Sequence, residues 1–506
     1  MTKESDQHLM KPFVYLSYIF LLIFMTTGCS SYREVEGSQK GLQMRVMLGE
    51  GASVPAELAV EMQWPEGDGK SATPEEVELG RLLFFDPLLS GNNEVSCATC
   101  HHPDLGFADG LQRSVGLSGV SLRRNAPSLW NASTQTHFTW DGRANSLQNQ
   151  MLGGPLFDPD EMAASPNELL NELRSNEEYA RRFDAVYGQV SLDHLADAIA
   201  AFQRTLISRN SPFDAYAQGQ FYALTGAQRR GFDLFASKKA NCIQCHQLPT
   251  FASNEFKVTG VSNGTHAFDG GRGEVTGNAE EQAAFSVPSL RNVVLSAPYM
   301  HSGVQADLGA VLAFYLNGGG NNGSIPPERL DDDLQRFNLT SRELKDIEAF
   351  LLALTDESAL PDIPQTLPSE LSPVVARHNP ARERVHAFSA LPLGTPRIHH
   401  VQVGQSIQDT IDIAQPNDQI IIAPGQYAEA LAVDVANLTI EATDVQLTGN
   451  GVLLTGLTVY NNHLTVIGLE MSDFQHYTID VQQANNLRLQ NVILNGVTIS
   501  SDFAIK

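Results

Sequence analysis

Along this 506-residue chain the apolar positions follow two rhythms. Up to about residue 356 they recur at helical spacing. Thr73-Pro74-Glu75-Glu76 supplies an N-cap, a proline suited to the first helical position and the glutamate of a capping box. It predicts a helix through Leu79-Gly80-Arg81-Leu82-Leu83-Phe84-Phe85. The same arrangement returns at Thr225, through Arg230-Gly231-Phe232-Asp233-Leu234-Phe235. Each copy leads into a Cys-x-x-Cys-His. This repeat of cap, helix, glycine, aromatics and cysteine motif predicts two mainly α-helical lobes, 71–215 and 216–356. Between them Asn167–Tyr187 and Leu192–Ser208, the latter with Leu195, Ile199, Phe202 and Leu206 on one face, are expected to be helices packing the lobes together. A last helix is expected near Ser341–Leu354.

The second rhythm begins after residues 357–398, where prolines at 361, 364, 368, 373, 380, 392 and 396 predict an irregular linker. From 399 to 506 the chain becomes short β-branched runs punctuated by Gly and Asn. Asn437-Leu438-Thr439-Ile440, His463-Leu464-Thr465-Val466 and Asn486-Leu487-Arg488-Leu489 echo one another, their leucines 26 and 23 residues apart. That rung-sized period predicts an all-β parallel β-helix. Beginning at Ile407-Gln408-Asp409-Thr410-Ile411, the region resembles the right-handed repeats of pectin-lyase-like proteins. The pattern stops at Ala504-Ile505-Lys506 without a cap, which implies either a longer solenoid or a partner that continues it. It shows no convincing cluster of catalytic acids, so a docking or scaffold role is expected there rather than carbohydrate cleavage.

Residues 1–29 read as an export signal. Lys3 and Lys11 flank an apolar run, Pro12 to Met25, too short for a comfortable membrane span. Thr26-Thr27-Gly28-Cys29 then resembles a bacterial lipoprotein signal, with Cys29 as the lipidated residue, although Leu is usual where Thr26 stands. Ser30 resembles outer-membrane sorting. An ordinary signal peptide or a retained anchor remains open. Residues 30–70 are expected to be a tether. The formal charge of −25, with no basic run, makes nucleic acid and anionic membrane surfaces poor partners.

Four of the five cysteines lie in Cys97-Ala98-Thr99-Cys100-His101 and Cys242-Ile243-Gln244-Cys245-His246, the attachment pattern of c-type haem. Both thiols add to the porphyrin, and the histidine ligates the iron. A zinc site would need the pairs to converge at short spacing, yet 145 residues separate them. A thioredoxin-like pair would need a βαβ context, whereas helix precedes each motif. Two covalent haems, proximally ligated by His101 and His246, are therefore expected in a protein exported to the periplasmic side.

Around these motifs stand Arg124-Asn125-Ala126-Pro127-Ser128-Leu129, Phe138-Thr139-Trp140-Asp141-Gly142-Arg143, Leu147-Gln148-Asn149-Gln150, Asp160-Glu161-Met162, Val287-Pro288-Ser289-Leu290-Arg291-Asn292 and Ala297-Pro298-Tyr299-Met300-His301. With them, residues 72–355 resemble the bacterial di-haem cytochrome c peroxidase and MauG family. The resemblance implies that peroxide reacts at the N-terminal haem while the C-terminal haem stores and relays an electron. It implies Glu161, with Gln150 nearby, as the distal proton carrier, Trp140 as a bridge between the haems, and a calcium ion held by Asn125, Ser296 and Pro298. Oxygen-only ligation suits calcium.

Two departures refine this. Where many members carry a histidine that caps the peroxidatic iron, eight residues before Asn125, this chain has Leu117. Fourteen residues after His301, where the peroxidases carry a methionine ligand to the second iron, it has Tyr315, as MauG-like members do. Met300 is the alternative ligand. A phenolate favours ferric iron and a low potential. The expected function is peroxide reduction, with electrons from a small cytochrome or cupredoxin. The alternatives are MauG-like oxidation of a protein partner's side chains and a non-enzymatic di-haem electron carrier.

Overall fold

The computed structural model describes residues 69–500, apart from 221–222, 265–267, 321–324, 335, 390–395, 434, 436, 454, 460–462, 476, 482–486, 491 and 496–498, together with 36–39, 42–45 and 64–65. Cys29 and the export signal lie outside these residues. Within the stretch expected to be a tether, Glu36–Gln39 pairs antiparallel with Leu42–Arg45. Among the described residues no helix is long and apolar enough to cross a membrane.

The two lobes repeat one packing unit. Thr73 accepts from Glu76 N and Glu76 returns the bond, starting the helix Pro74–Phe85. Thr225 and Gln228 do the same for Gly226–Ala236. The first helix packs on Leu192–Arg204 and the second on Ser341–Leu352. Glycine makes both approaches possible: a Cβ on Gly80 would lie 1.8 Å from the carbonyl oxygen of Ala198, and one on Gly231 would lie 1.9 Å from that of Asp346. Phe84 with Phe202 and Phe232 with Phe350 then pack their rings 5.1 and 5.3 Å apart.

The repeat extends to loops. Ser128 Oγ donates to Gly106 O and Ser289 Oγ to Thr250 O. Asn131 and Asn292 are both left-handed, and each side-chain oxygen accepts a backbone N–H from the end of the lobe, from Ser208 and Asp356.

Three expectations are corrected. The segment 167–187 is two helices, Pro166–Ser175 and Glu177–Tyr187, because Asn176 ends the first and caps the second through Tyr179 N. The stretch 357–398 contains a helix, Ala381–Ser389, in the proline-free interval that follows Pro380. Its earlier part is no loose linker: Leu360, Ile363, Leu367, Leu371 and Val374 pack on the core of the first lobe. Arg81 bonds Asp362 O, Asn176 bonds Pro368 O, and Ser369 Oγ donates 2.7 Å to the buried Asp86. Finally, Ile407–Ile413 is a helix rather than a first rung. Ser406 caps it, Glu429 accepts Ile407 N and Gln408 N, and the i,i+4 pair Ile407 and Ile411 is buried against the solenoid core.

The C-terminal region is a β-solenoid of about three turns. Ile398–Val401, Gln419–Ile422, Thr439–Thr448, Leu464–Ser472 and Leu487–Gln490 pair in parallel in that order. Leu431–Val433, Thr455–Val459, Tyr477–Val481 and Ile499–Ser500 form a second parallel sheet. Ile420, Ile440 and Val466 stack in register and are fully buried, as the leucine spacing required. The solenoid sits on the second lobe through its helix: Asp412 accepts from Arg230 at 2.7 Å and from Arg342 at 2.9 Å, and Arg230 also binds the buried Asp346.

Overpacking of this kind costs about 1–3 kcal/mol. Gly80→Ala and Gly231→Ala should each lower stability by about that much, since a backbone carbonyl must move. Thermal unfolding with unchanged midpoints would contradict the close approach.

Candidate haem sites and the seam between the lobes

Cys97–Cys100 forms a single helical turn behind Ser96, and His101 N closes on Cys97 O at 2.9 Å. In the second lobe His246 N closes on Cys242 O at 3.0 Å. Each turn therefore carries both thiols and the imidazole within five residues of chain. His101 Nδ1 donates to Phe107 O at 3.0 Å. His246 Nδ1 lies 3.1 Å from Phe251 O and 3.2 Å from Pro288 O. Carbonyls only accept, so Nδ1 carries the proton and Nε2 is left as a ligand atom in both lobes. Burial keeps both imidazoles neutral, His246 at about 4.

The donor set fits covalent haem better than a redox pair. Burial first, then the neighbouring cysteine, pushes Cys97 and Cys242 up to about 12, whereas a reactive Cys-x-x-Cys has a lowered pKa. Among the described residues no three His, Cys, Asp or Glu side chains converge as a metal cluster would require. An apolar wall is also left incomplete. Leu308–Leu316 reads LGAVLAFYL, yet Leu308 is its only buried residue. A flat apolar group against this helix would complete its burial.

Tyr315 lies on that helix. Burial first, then the Cys245 and Cys242 thiols, pushes its phenol well above the ordinary value, so the side chain lies within electrostatic reach of the second motif. Its hydroxyl makes no hydrogen bond among the described residues. Met300 is in the left-handed region within the turn 299–305.

At the first motif, Glu161 and Gln150 are both half-buried, and neither side chain has a hydrogen-bond partner among the described residues. Burial first, then Asp158, raises the Glu161 carboxyl, and Arg143 partly opposes them. A Cβ on Gly154 would lie 3.5 Å from the Arg143 guanidinium and 3.6 Å from the backbone carbonyl oxygen of Gln150. The rise of Cys100 to about 11 comes from burial and Asp109, with a smaller push from Glu161. Leu117 N donates to Glu161 O at 2.7 Å, so Leu117 lies on the loop beside the acid.

Trp140 lies on the seam. Its indole N–H donates to Asn125 O at 2.9 Å, and its ring is 6.5 Å from that of His301, edge to face. His301 stacks on Phe285 at 3.6 Å, and its carbonyl accepts from Asn125 N at 2.8 Å. Asn125 Nδ2 donates to Leu111 O, and Ser296 Oγ donates to Val293 O. Gly106 of the first lobe presses on Leu295 and Ser296. Asn125 and 296–298 thus both line the seam.

A profile described as di-haem cytochrome c peroxidase matches residues 74–221. The methylamine utilization protein MauG of Methylorubrum extorquens is 40% identical over 306 residues, covering 60% of this chain and 84% of that protein. This chain belongs to the di-haem cytochrome c peroxidase family. The cytochrome c551 peroxidase of Nitrosomonas europaea is 37% identical, across 47% of this chain and 73% of its own length. A crystal structure of a MauG-like protein associated with microbial copper homeostasis aligns with 34% identity and a TM-score of 0.54, over 60% of this chain and 95% of that one. The family implies two c-type haems, which the donor sets fit.

Sequence reasoning missed the charged lock beside this stack. Arg124 donates to Asp141 at 2.5 Å and to Asp269 at 2.8 Å, joining the lobes through side chains nearly closed to solvent. Asp141 follows Trp140 and Arg124 precedes Asn125, which was the available signal. Burial pushes Asp141 up, but Arg124, the Thr139 hydroxyl and Arg143 outweigh it and hold the carboxyl at about 2, below its ordinary 3.8.

A depressed folded-state pKa stabilises above the unfolded value and loses that stabilisation as pH falls through the folded one. Asp141→Asn should therefore cost on the order of 2 kcal/mol at pH 7, the deficit shrinking between about pH 4 and pH 2. Denaturant titrations across that range check it. A deficit that persists unchanged at pH 2 would contradict the ion pair.

Proposed function

We propose that this chain reduces hydrogen peroxide at the haem attached through Cys97 and Cys100 and relays electrons from the haem attached through Cys242 and Cys245. The observation that carries this reading is the half-buried Glu161, its carboxyl raised, without a hydrogen-bond partner among the described residues and within electrostatic reach of Cys100 in the first motif. When bound, haem held by Cys97, Cys100 and His101 would supply an iron to bind peroxide and electrons to reduce it. Glu161 takes a proton from the inner peroxide oxygen and returns it to the outer one, which leaves as water. Its raised affinity for a proton suits the first half of that transfer. Gln150 orients the peroxide by hydrogen bonding. Leu117 offers no ligand atom, so that position leaves the distal side open without prior reduction. Trp140 carries electrons across the seam.

A second destination for the oxidising equivalents is a protein partner's side chain, as the likeness to MauG suggests. Tyr315 favours it, because as a phenolate ligand to the second haem it would lower that haem's potential and make it a poor acceptor from a small cytochrome or cupredoxin. We further propose calcium at Asn125 Oδ1 and the carbonyls of Ser296 and Pro298, and export to the periplasmic side with a lipid on Cys29 holding the chain to the outer membrane.

Glu161→Gln should slow the reaction of the oxidised protein with peroxide by about 10²–10⁴-fold in stopped flow, with haem content and resting spectrum unchanged. An unaltered rate removes Glu161 from the mechanism. Tyr315→Met should raise the potential of the second haem in a redox titration. An unmoved potential would assign the distal position to another residue.

A further inference from the structure

We propose that His102 is a positioning residue for the first haem's proximal ligand, and that the segment after the second lobe fixes it. The inference rests on the reading of His101 as that ligand. His102 directly follows it and is fully buried. Both of its ring nitrogens are committed. Nδ1 accepts from Asp104 N at 3.2 Å, so the proton sits on Nε2, which donates to Val375 O at 2.9 Å. Val375 belongs to the strap that returns over the first lobe, more than 270 residues along the chain.

The contact reaches His101 in three short steps. His102 N donates to Ala108 O at 2.8 Å, and His102 O accepts from Leu105 N and Phe107 N, both at 3.0 Å. Phe107 O then accepts the Nδ1 proton of His101. Holding His102 therefore holds the carbonyl that orients the ligand. The strap is itself fixed beside this loop. Arg377 N donates to Asp104 Oδ2 at 2.8 Å, Arg382 reaches Asp104 Oδ1 at 2.9 Å, and the buried Asn379 amide donates to Asp104 O at 2.9 Å and to Leu295 O at 3.0 Å. Asn379 thereby ties the strap to both lobes.

The second lobe supplies the contrast. There the residue after the histidine is Gln247, which is exposed and bonds only locally, to Gln244 O and to the backbone of Ala252. The two haem loops thus differ in this support. A proximal imidazole held firmly on a carbonyl is a more basic ligand and favours ferric iron. The strap should thus hold down the potential of the first haem and leave the second unaffected.

The test uses full-length protein carrying two haems, with both midpoints followed by absorbance and electron paramagnetic resonance. In His102→Phe, which keeps bulk and removes both nitrogens, the first haem's midpoint should rise and its high-spin signal change, while the second haem stays at its wild-type values. His102→Gln can still donate to Val375 O and should restore most of the shift. Asn379→Ala, remote from either ligand, should move the first haem in the same direction by less. If His102→Phe does not accumulate with two haems, Asn379→Ala decides alone. First-haem values equal to wild type in these variants, or equal shifts in both haems, overturn the proposal. Wild-type protein lacking haem at Cys97 and Cys100 would instead overturn the reading on which it rests.

Discussion

A backbone carbonyl fixing the Nδ1 proton of each proximal histidine is the constraint on which the rest of this structure depends. It decides which imidazole nitrogen faces the haem position, and it needs a loop that presents Phe107 O or Phe251 O at hydrogen-bond distance. Those loops are in turn held from behind. Phe107 and Phe251 are both left-handed and fully buried, each reaching the aromatic core of its lobe, and Ser128 and Ser289 tie the preceding turn. The glycine approaches at Gly80 and Gly231 bring the supporting helices close enough to build that core. Local sequence, helix packing and ligand orientation are thus one chain of causes, used twice.

What differs between the lobes is where function divides. Near the first motif stands an acid without a hydrogen-bond partner among the described residues, with a leucine on the adjoining loop. Beside the second stand an apolar helix and an unbonded phenol. Between them Trp140, His301 and Phe285 form an aromatic series, locked by Arg124 between two carboxylates from different lobes. A buried guanidinium with two carboxylates costs desolvation but admits few alternative geometries, which suits a seam whose ring spacings must hold. The solenoid is attached to the second lobe through Asp412.

Much of this was legible in the sequence because the decisive interactions are local. Cys-x-x-Cys-His places its three groups on one turn, capping boxes span three residues, and the solenoid's inward residues recur at rung length. The features that were not legible depend on contacts far apart in the chain. Prolines between 361 and 380 read as a loose linker, because nothing local reveals that Leu367 or the carbonyl of Val375 meets the first lobe. Ile407–Ile413 stands where the resemblance to β-helix repeats begins, yet the Ser406 cap and the i,i+4 isoleucines make it a helix. Arg124 and His102 sat beside residues already noted, yet only the fold shows what each one touches.

The central claim is that the first haem is open and reactive as the protein is made. Electron paramagnetic resonance of the fully oxidised protein, before and after stoichiometric peroxide, tests it most directly. The account predicts one high-spin and one low-spin signal, the high-spin one lost on adding peroxide with no prior reduction. Two low-spin signals unmoved by peroxide would mean that another side chain occupies the distal position facing Glu161, and would contradict the account.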